Sequence, residues 1–255
     1  MSCYNALAPW YDSLTGDIPY DKFIEFYEAE FARDGGEFRL VLDLCCGTGS
    51  LTWLMAEKGY EMIAVDQSVE MLMQAQSKPS DAEVRPLFLC QNAEELDLYG
   101  TVDAAICSLD GMNYIEPESL AELVRRLNLF IRPGGLFIFD MNTPTRFEKE
   151  YGKNSYQLEA ETEEGCAVFC NWQNDYSEKR GICRFSLSVF TEEEAGSEIY
   201  SRRDEEWKER CYTRAEVEEK LKAAGFEICG VFGNTKFKRA AKSDSKMYFA
   251  ARAKK

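Results

Sequence analysis

The sequence predicts an α/β fold: a doubly wound, mostly parallel sheet of seven strands, carrying a small antiparallel β insertion. Three observations predict it. Between about residues 38 and 142, strand-like apolar runs alternate with helical periods, the pattern of a parallel sheet covered by helices on both faces. Between 146 and 210 the hydrophobic period becomes two, as in half-exposed strands. After that the α/β pattern resumes and closes with two more strand-like runs.

The first strand is also the most informative. Val41-Leu42-Asp43-Leu44-Cys45-Cys46-Gly47-Thr48-Gly49-Ser50 reads as a buried strand ending in a carboxylate, a glycine turn, and a helix starting near Ser50. Gly47 and Gly49 let the backbone turn tightly and come close to a ligand where a Cβ would clash. In open α/β sheets such a turn lies at the carboxyl end of a strand, where small molecules bind. A nucleotide-like cofactor is therefore expected there. Thr52 stands where a G-x-G-x-x-G dinucleotide fingerprint needs its third glycine, and no lysine follows Gly49 as a phosphate loop requires. Asp43, four residues before Gly47, repels phosphate and suits an ammonium group or a hydroxyl.

The remaining strands follow in order. Residues 60–66 form a second strand ending in Asp66, and Ser68 is placed to cap the next helix. Residues 89–93, with Gln91, Asn92 and Ala93, end a third strand, and 102–110 form a fourth. A helix from about Pro117 carries Leu120, Leu123, Val124, Leu127 and Phe130 on one face, a core stripe. Pro133-Gly134-Gly135 then leads into a fifth strand ending at Asp140.

Taken together, these runs resemble the ordered motifs of class I S-adenosylmethionine-dependent methyltransferases. The glycine turn resembles the family's (V/I/L)-L-D-x-G-x-G-x-G, and Arg132-Pro133-Gly134-Gly135 resembles its LxPGGxxxxD turn. The resemblance covers residues 38–142 closely and the remainder loosely. It implies a Rossmann-like methyltransferase fold and S-adenosylmethionine as cofactor. It also implies that Asp66 bonds both ribose hydroxyls, that Met71 packs on adenine, and that Asn92 accepts from the adenine amine through its carbonyl. Further cofactor contacts are implied for Asp43, Cys45, Gly47, Thr48, Gly49, Gln67, Gln91, Ala93, Cys107 and Leu109. The pattern departs at Cys45, where the family usually carries glycine; a thiol side chain there calls for a negative φ.

The N-terminal stretch, residues 4–31, reads as helical and aromatic. Asp17 is placed to cap a helix bearing Tyr20, Phe23, Ile24, Tyr27 and Phe31. Tyr11-Asp12-x-Leu14 followed by Tyr20 resembles the N-terminal lid of small-molecule methyltransferases, which would put Tyr11 and Tyr20 at the cofactor; plain packing is the other reading. The organisation expected is a methyltransferase core over 1–145 and 211–255, with the β insertion at 146–210. In the insertion, Cys166, Val168, Cys170 and Trp172, then Cys183, Phe185, Leu187 and Val189, occupy alternate positions. Polar breaks at Asn174-Asp175 and at 192–196 suit hairpin turns. This insertion can roof a substrate or serve dimerisation. Thr213-Arg214-Ala215-Glu216 reads as a capping box, Gly225 as a helix stop, and 226–232 and 247–253 as an antiparallel edge pair.

Composition excludes several functions. Thirty basic against 45 acidic residues give a net charge of −15, which argues against a nucleic-acid binder; Lys236-Phe237-Lys238-Arg239 reads as a solvated loop. Histidine is absent, so any proton acceptor is Asp, Glu, Tyr, Lys, Cys or water. The ten cysteines lack metal-binding spacing, and Met1-Ser2-Cys3-Tyr4-Asn5 does not open an export signal, so reduced thiols, no metal and a cytoplasmic location are expected. No 18-residue apolar run suggests a membrane span.

The expected reaction is methyl transfer to a nitrogen or oxygen of a small molecule, by a monomer or homodimer. An RNA or protein methyltransferase and a non-catalytic cofactor-binding module are the rivals. Catalytic candidates are Asp110 and Tyr114, after the fourth strand, and Asn142, after the fifth. Asp140 is more simply a buried turn acceptor, and Tyr151, Trp172, Glu206, Trp207 and Arg210 are candidates from the insertion. The N/D-P-P-Y/F tetrad of base and glutamine N-methyltransferases is replaced by Ser108-Leu109-Asp110-Gly111, which disfavours those substrates.

Overall fold

A computed structural model describes residues 4–162 and 164–254. Met1 to Cys3, part of the stretch read for an export signal, lie outside the described residues. Short turns at Ala8–Trp10 and Tyr11–Leu14 (α1) precede α2 (Tyr20–Asp34). The strands β1 (Leu40–Leu44), β2 (Glu61–Asp66), β3 (Leu87–Cys90), β4 (Val102–Cys107) and β5 (Ile131–Asn142) follow. Helices α3 (Ser50–Glu57), α4 (Val69–Ser77) and α5 (Pro117–Phe130) connect them. After β5 come α6 (Pro144–Arg146), a π-turn (Phe147–Tyr151) and four strands: β6 (Ser155–Glu161), β7 (Ala167–Ser177), β8 (Ile182–Glu192) and β9 (Tyr200–Arg210). Helix α7 (Arg214–Ala223), β10 (Phe226–Phe232) and β11 (Lys246–Ala253) complete the molecule.

The main sheet has the order β10-β11-β5-β4-β1-β2-β3. Its β1 to β5 run parallel, and β11 is antiparallel to both β5 and β10. This is the predicted seven-stranded, mostly parallel architecture. Side-chain alternation along β1 divides the core: Val41 packs with Phe23, Phe26, Tyr27 and Met55, from α2 and α3, on one face. Leu42 and Leu44 pack with Leu123, Leu127 and Leu221, from α5 and α7, on the other. The stripe predicted for α5 is buried throughout. Both halves of the Thr213/Glu216 capping box form, and Gly225 ends α7 at φ +90°.

The second sheet, β6-β7-β8-β9, is an antiparallel meander. Its inner face buries Val168, Cys170, Cys183, Phe185, Leu187, Val189 and Trp207 against Leu7 and Phe147. Two local expectations fail. Asn174 and Asp175 lie inside β7, paired with Phe185 and Arg184; the turn falls after Ser177, where Gly181 takes φ +61° and donates to Ser177. Two adjacent polar residues imitate a break, although one points in and the other out. Asp17 does not cap α2, whose N-cap is Pro19 with no side-chain bond, because Asp17 sits too far before the first helical turn.

Candidate active site

The strand order reverses at β1, which has β2 on one side and β4 on the other. Connections leaving β1 and β4 therefore diverge, and a crevice opens at their carboxyl ends. A cavity of about 840 Å³ occupies it. The loops after β1 to β4 form one wall; the N-terminal segment, β8 and β9 form the other.

The glycine turn builds the centre. Cys45, Gly47 and Thr48 line the cavity. Cys45 takes φ +59°, not the negative value its side chain calls for. A left-handed residue with a Cβ costs about 1–2 kcal/mol. Its side chain packs beside that of Cys107, which is buried beneath the turn and is not a lining residue. Gly49 also lies behind the wall: at φ +68°, a Cβ there would come within 2.9 Å of Ala75 and 3.1 Å of Phe88. Asp43 lines the cavity and accepts from the Thr52 hydroxyl at 2.5 Å. Burial pushes its carboxyl up to about 7, against that hydrogen bond.

Asp66, Gln67 and Met71 line the next part. The Asp66 carboxylate accepts from Gly47 N and Ser68 N, each at 2.9 Å, one on each oxygen. Each oxygen keeps a second lone pair. Burial raises its pKa, opposed by those backbone donors. Ser68 caps α4 by accepting from Met71 N at 3.2 Å. Gln91, Asn92 and Ala93 complete this side. The Gln91 amide is tied to the Asp97 backbone, and Asn92 Oδ1 accepts from Glu94 N at 3.1 Å.

Tyr11 and Tyr20 both face the cavity. Burial pushes the Tyr20 hydroxyl up to about 12, and burial raises Tyr11 further still. Between them, Asp12 latches onto the glycine turn: it accepts from Thr48 Oγ1 at 2.7 Å and Ser50 Oγ at 3.1 Å, and pairs with Lys78 at 2.6 Å. Tyr4 packs on Trp207 at 4.7 Å between ring centroids and is hydrogen-bonded to Tyr114.

Of the three catalytic candidates, Tyr114 lines the cavity and Asp110 and Asn142 do not. They belong to a polar network between the two sheets. Lys246 Nζ lies 2.9 Å from Asp110 and 2.5 Å from Asp140. Asn142 Nδ2 donates to Asp110 Oδ2 at 2.8 Å and to Glu209 Oε2 at 3.0 Å. Asp110 is thus held toward Lys246 and Asn142, away from the cavity wall. Asp140 is the turn acceptor predicted for it, taking Leu109 N at 2.7 Å and Asp110 N at 3.2 Å. Of the insertion candidates, Glu206 and Trp207 reach the cavity; Tyr151 contacts Asn142, and Arg210 bonds the Gly181 carbonyl. Trp172 packs edge-on against Phe185 and Trp207.

Burial and the nearby Asp110 push Glu209 up to about 8, against the Asn142 hydrogen bond and the more distant Lys246 and Arg146 charges. Above its unfolded pKa of about 4.3, the native state therefore holds a proton that the unfolded chain has lost. Stability from this group is complete below that value and is lost as pH rises through the folded one. Thermal melting is expected to fall between about pH 5 and 8 and to level off above that, with Asp43 contributing in the same direction up to about 7, and Glu209→Gln is expected to flatten the decline. An equally steep decline in that variant would show that Glu209 is not its source.

Tyr4, Ser108, Asp175, Arg184, Ser186 and Lys208 also line the cavity and were not singled out from the sequence. The placement of Asp175, Arg184, Ser186 and Lys208 depends on how the second sheet docks, which no local pattern encodes.

A glycine turn at the switch point, an acid closing β2, and a strand pair of reversed direction at the edge define a methyltransferase of the Rossmann-like class. Residues 41–135 match the family described as a methyltransferase domain. Over 254 residues the chain is 28% identical to YqeM of Bacillus subtilis (strain 168), which is named as a methyltransferase, covering 99% of this chain and 98% of that one. A solved S-adenosylmethionine-dependent methyltransferase from Clostridium acetobutylicum ATCC 824 superposes with a TM-score of 0.84 at 29% identity, covering 99% of each chain. The sugar N-methyltransferase KedS8 from Streptoalloteichus sp ATCC 53650 shares the fold, with a TM-score of 0.76 at 16% identity over 97% of this chain and 92% of that one. The protein is a class I S-adenosylmethionine-dependent methyltransferase. Among the described residues, no helix is long and apolar enough to cross a membrane and no cluster of side chains is arranged to hold a metal ion.

Proposed function

We propose that the enzyme methylates a nitrogen or oxygen of a small-molecule acceptor held beneath the second sheet. One observation carries the reading: the cavity is roofed. Asn5 N and Ala6 N donate to the Glu205 carboxylate of β9 at 2.8 and 3.1 Å, fastening the N-terminal segment across it. Tyr4 on Trp207 and the Asp12 latch fasten it on either side. With the N-terminal segment fastened across it, a space of about 840 Å³ suits a nucleoside-sized cofactor and a small partner better than a polymer strand.

The residues present fit the cofactor. Asp66 retains lone pairs for two ribose hydroxyls, Met71 supplies an apolar surface for adenine, and Asn92 keeps acceptor capacity at its carbonyl. No neighbour lies within 4 Å of the position a Gly47 Cβ would take, so the backbone there is open to close approach. Asp43, Thr48, Tyr11 and Tyr20 would enclose the remainder. S-adenosylmethionine, when bound, supplies a methyl carbon already activated by a sulfonium. The protein has to align the acceptor and exclude water, and orientation of this kind supplies much of the rate. A neutral amine needs no base to attack and loses its proton afterwards; a hydroxyl must give its proton up as it attacks. Apart from Asp43 and Asp66, the wall carboxylates available to take one are Glu94, Glu116, Asp175 and Glu206.

The test is to supply methyl-labelled S-adenosylmethionine with a cell extract separated by size. Label is expected in the low-molecular-weight fraction, on nitrogen or oxygen. Label confined to RNA or protein would overturn the small-molecule reading.

A further inference from the structure

Three residues of the turn after β4, Ser108, Leu109 and Gly111, line the cavity, while Asp110 turns its carboxylate away toward Lys246. Leu109 and Asp110 both take left-handed backbone, at φ +55° and +60°. Two successive non-glycine residues do not hold that shape unaided, because each Cβ crowds its own backbone. The curl does point two consecutive N–H groups to one side, forming a concavity for an anion. The Asp140 carboxylate fills it, accepting from Leu109 N at 2.7 Å and Asp110 N at 3.2 Å.

Asp140 is fully buried on β5, and its counter-ion comes from β11: Lys246 Nζ at 2.5 Å, with the same ammonium 2.9 Å from Asp110. Without Lys246, two carboxylates, one of them fully buried, would lie together with no positive partner in direct contact. The turn is also packed tightly against the glycine turn. A Cβ on Gly111 would come within 2.8 Å of Cys107 Sγ and 3.0 Å of Cys45 Cβ, so any displacement at 109–110 is passed to the cofactor cradle.

We propose that Lys246 is a positioning residue for methyl transfer: through Asp140 it keeps the left-handed Leu109–Asp110 turn closed against the cavity wall without touching the cofactor itself. The inference rests on the cofactor occupying this cavity. It differs from a generic stabilising role because it predicts that a backbone substitution relieves the loss of the ion pair.

The experiment uses the full chain and calorimetric titration with S-adenosylhomocysteine, with thermal melting alongside. Lys246→Met is expected to weaken binding at least tenfold, and Lys246→Arg to stay within threefold of wild type. Adding Asp110→Gly to Lys246→Met is expected to restore affinity to within threefold. Glycine adopts the left-handed conformation freely, whereas adding Asp110→Ala, which removes the same carboxylate but keeps a Cβ, is expected to leave the loss in place. If Lys246→Met does not fold, Asp140→Asn, which leaves only one acceptor oxygen for the two N–H groups, is expected to show the tenfold loss instead. Binding by Lys246→Met, or in its place Asp140→Asn, within threefold of wild type would overturn the proposal. A weak Lys246→Met that Asp110→Gly does not rescue would reduce Lys246 to a structural ion pair. Failure of the wild type itself to bind would instead sink the reading of the cavity.

Discussion

Asp66→Ala is expected to weaken S-adenosylhomocysteine binding by about 1–3 kcal/mol, a loss of roughly 5- to 150-fold. Two effects combine. The carboxylate is the proposed partner of the ribose hydroxyls, and it also holds the glycine turn through Gly47 N and the head of α4 through Ser68 N. Alanine removes the acceptor for the ligand and leaves those two backbone donors without their partner. Asp66→Asn is expected to lose much of the same affinity, because an amide nitrogen cannot accept from a backbone N–H. Calorimetric titration reads the effect directly. A dissociation constant for Asp66→Ala within twofold of wild type would mean that the cofactor is held elsewhere.

The largest expected loss of stability follows Phe249→Ala. Phe249 is fully buried on β11 and stacks on Phe139 of β5 at 4.9 Å, which stacks in turn on Phe137 at 4.5 Å. Replacing a buried phenylalanine by alanine costs about 3–5 kcal/mol in lost transfer energy and residual cavity. For a chain of this size that lowers the melting temperature by about 6–20 °C. Urea denaturation gives the free energy and calorimetry the temperature. A loss below about 1 kcal/mol would show that the three-ring stack is not a principal support of this half of the sheet.

The parts readable from the sequence share one property: their cause is local. A strand ending in Asp43 and breaking at Gly47 and Gly49, a Ser68 cap, a Thr213–Glu216 capping box and a five-residue apolar stripe on α5 each declare themselves within a few residues. The parts that were misread depend on groups far away in the chain. Asp110 and Asn142 looked like residues of the cleft because they follow strands that lead there. What diverts them inward is Lys246 and Glu209, respectively 136 and 67 residues further on. Cys45 takes its left-handed backbone where its side chain packs beside Cys107, a partner supplied by β4. Asn174 and Asp175 read as a turn because alternation of burial along an edge-to-centre strand is invisible until its neighbours are known. The wall formed by Arg184, Ser186 and Lys208 needs the docking of one sheet on another, and no short pattern records that.

The position of β11 sets an order of events during synthesis. The strand enters between β5 and β10, and it brings the ammonium that neutralises Asp140 and Asp110. Translation delivers the adenosine-binding loops first and this strand some 100 residues after β5, at about 5–20 residues per second. A ribosome-bound chain stalled before residue 246 therefore carries every residue proposed to grip the cofactor, yet lacks the ion that closes the turn around it.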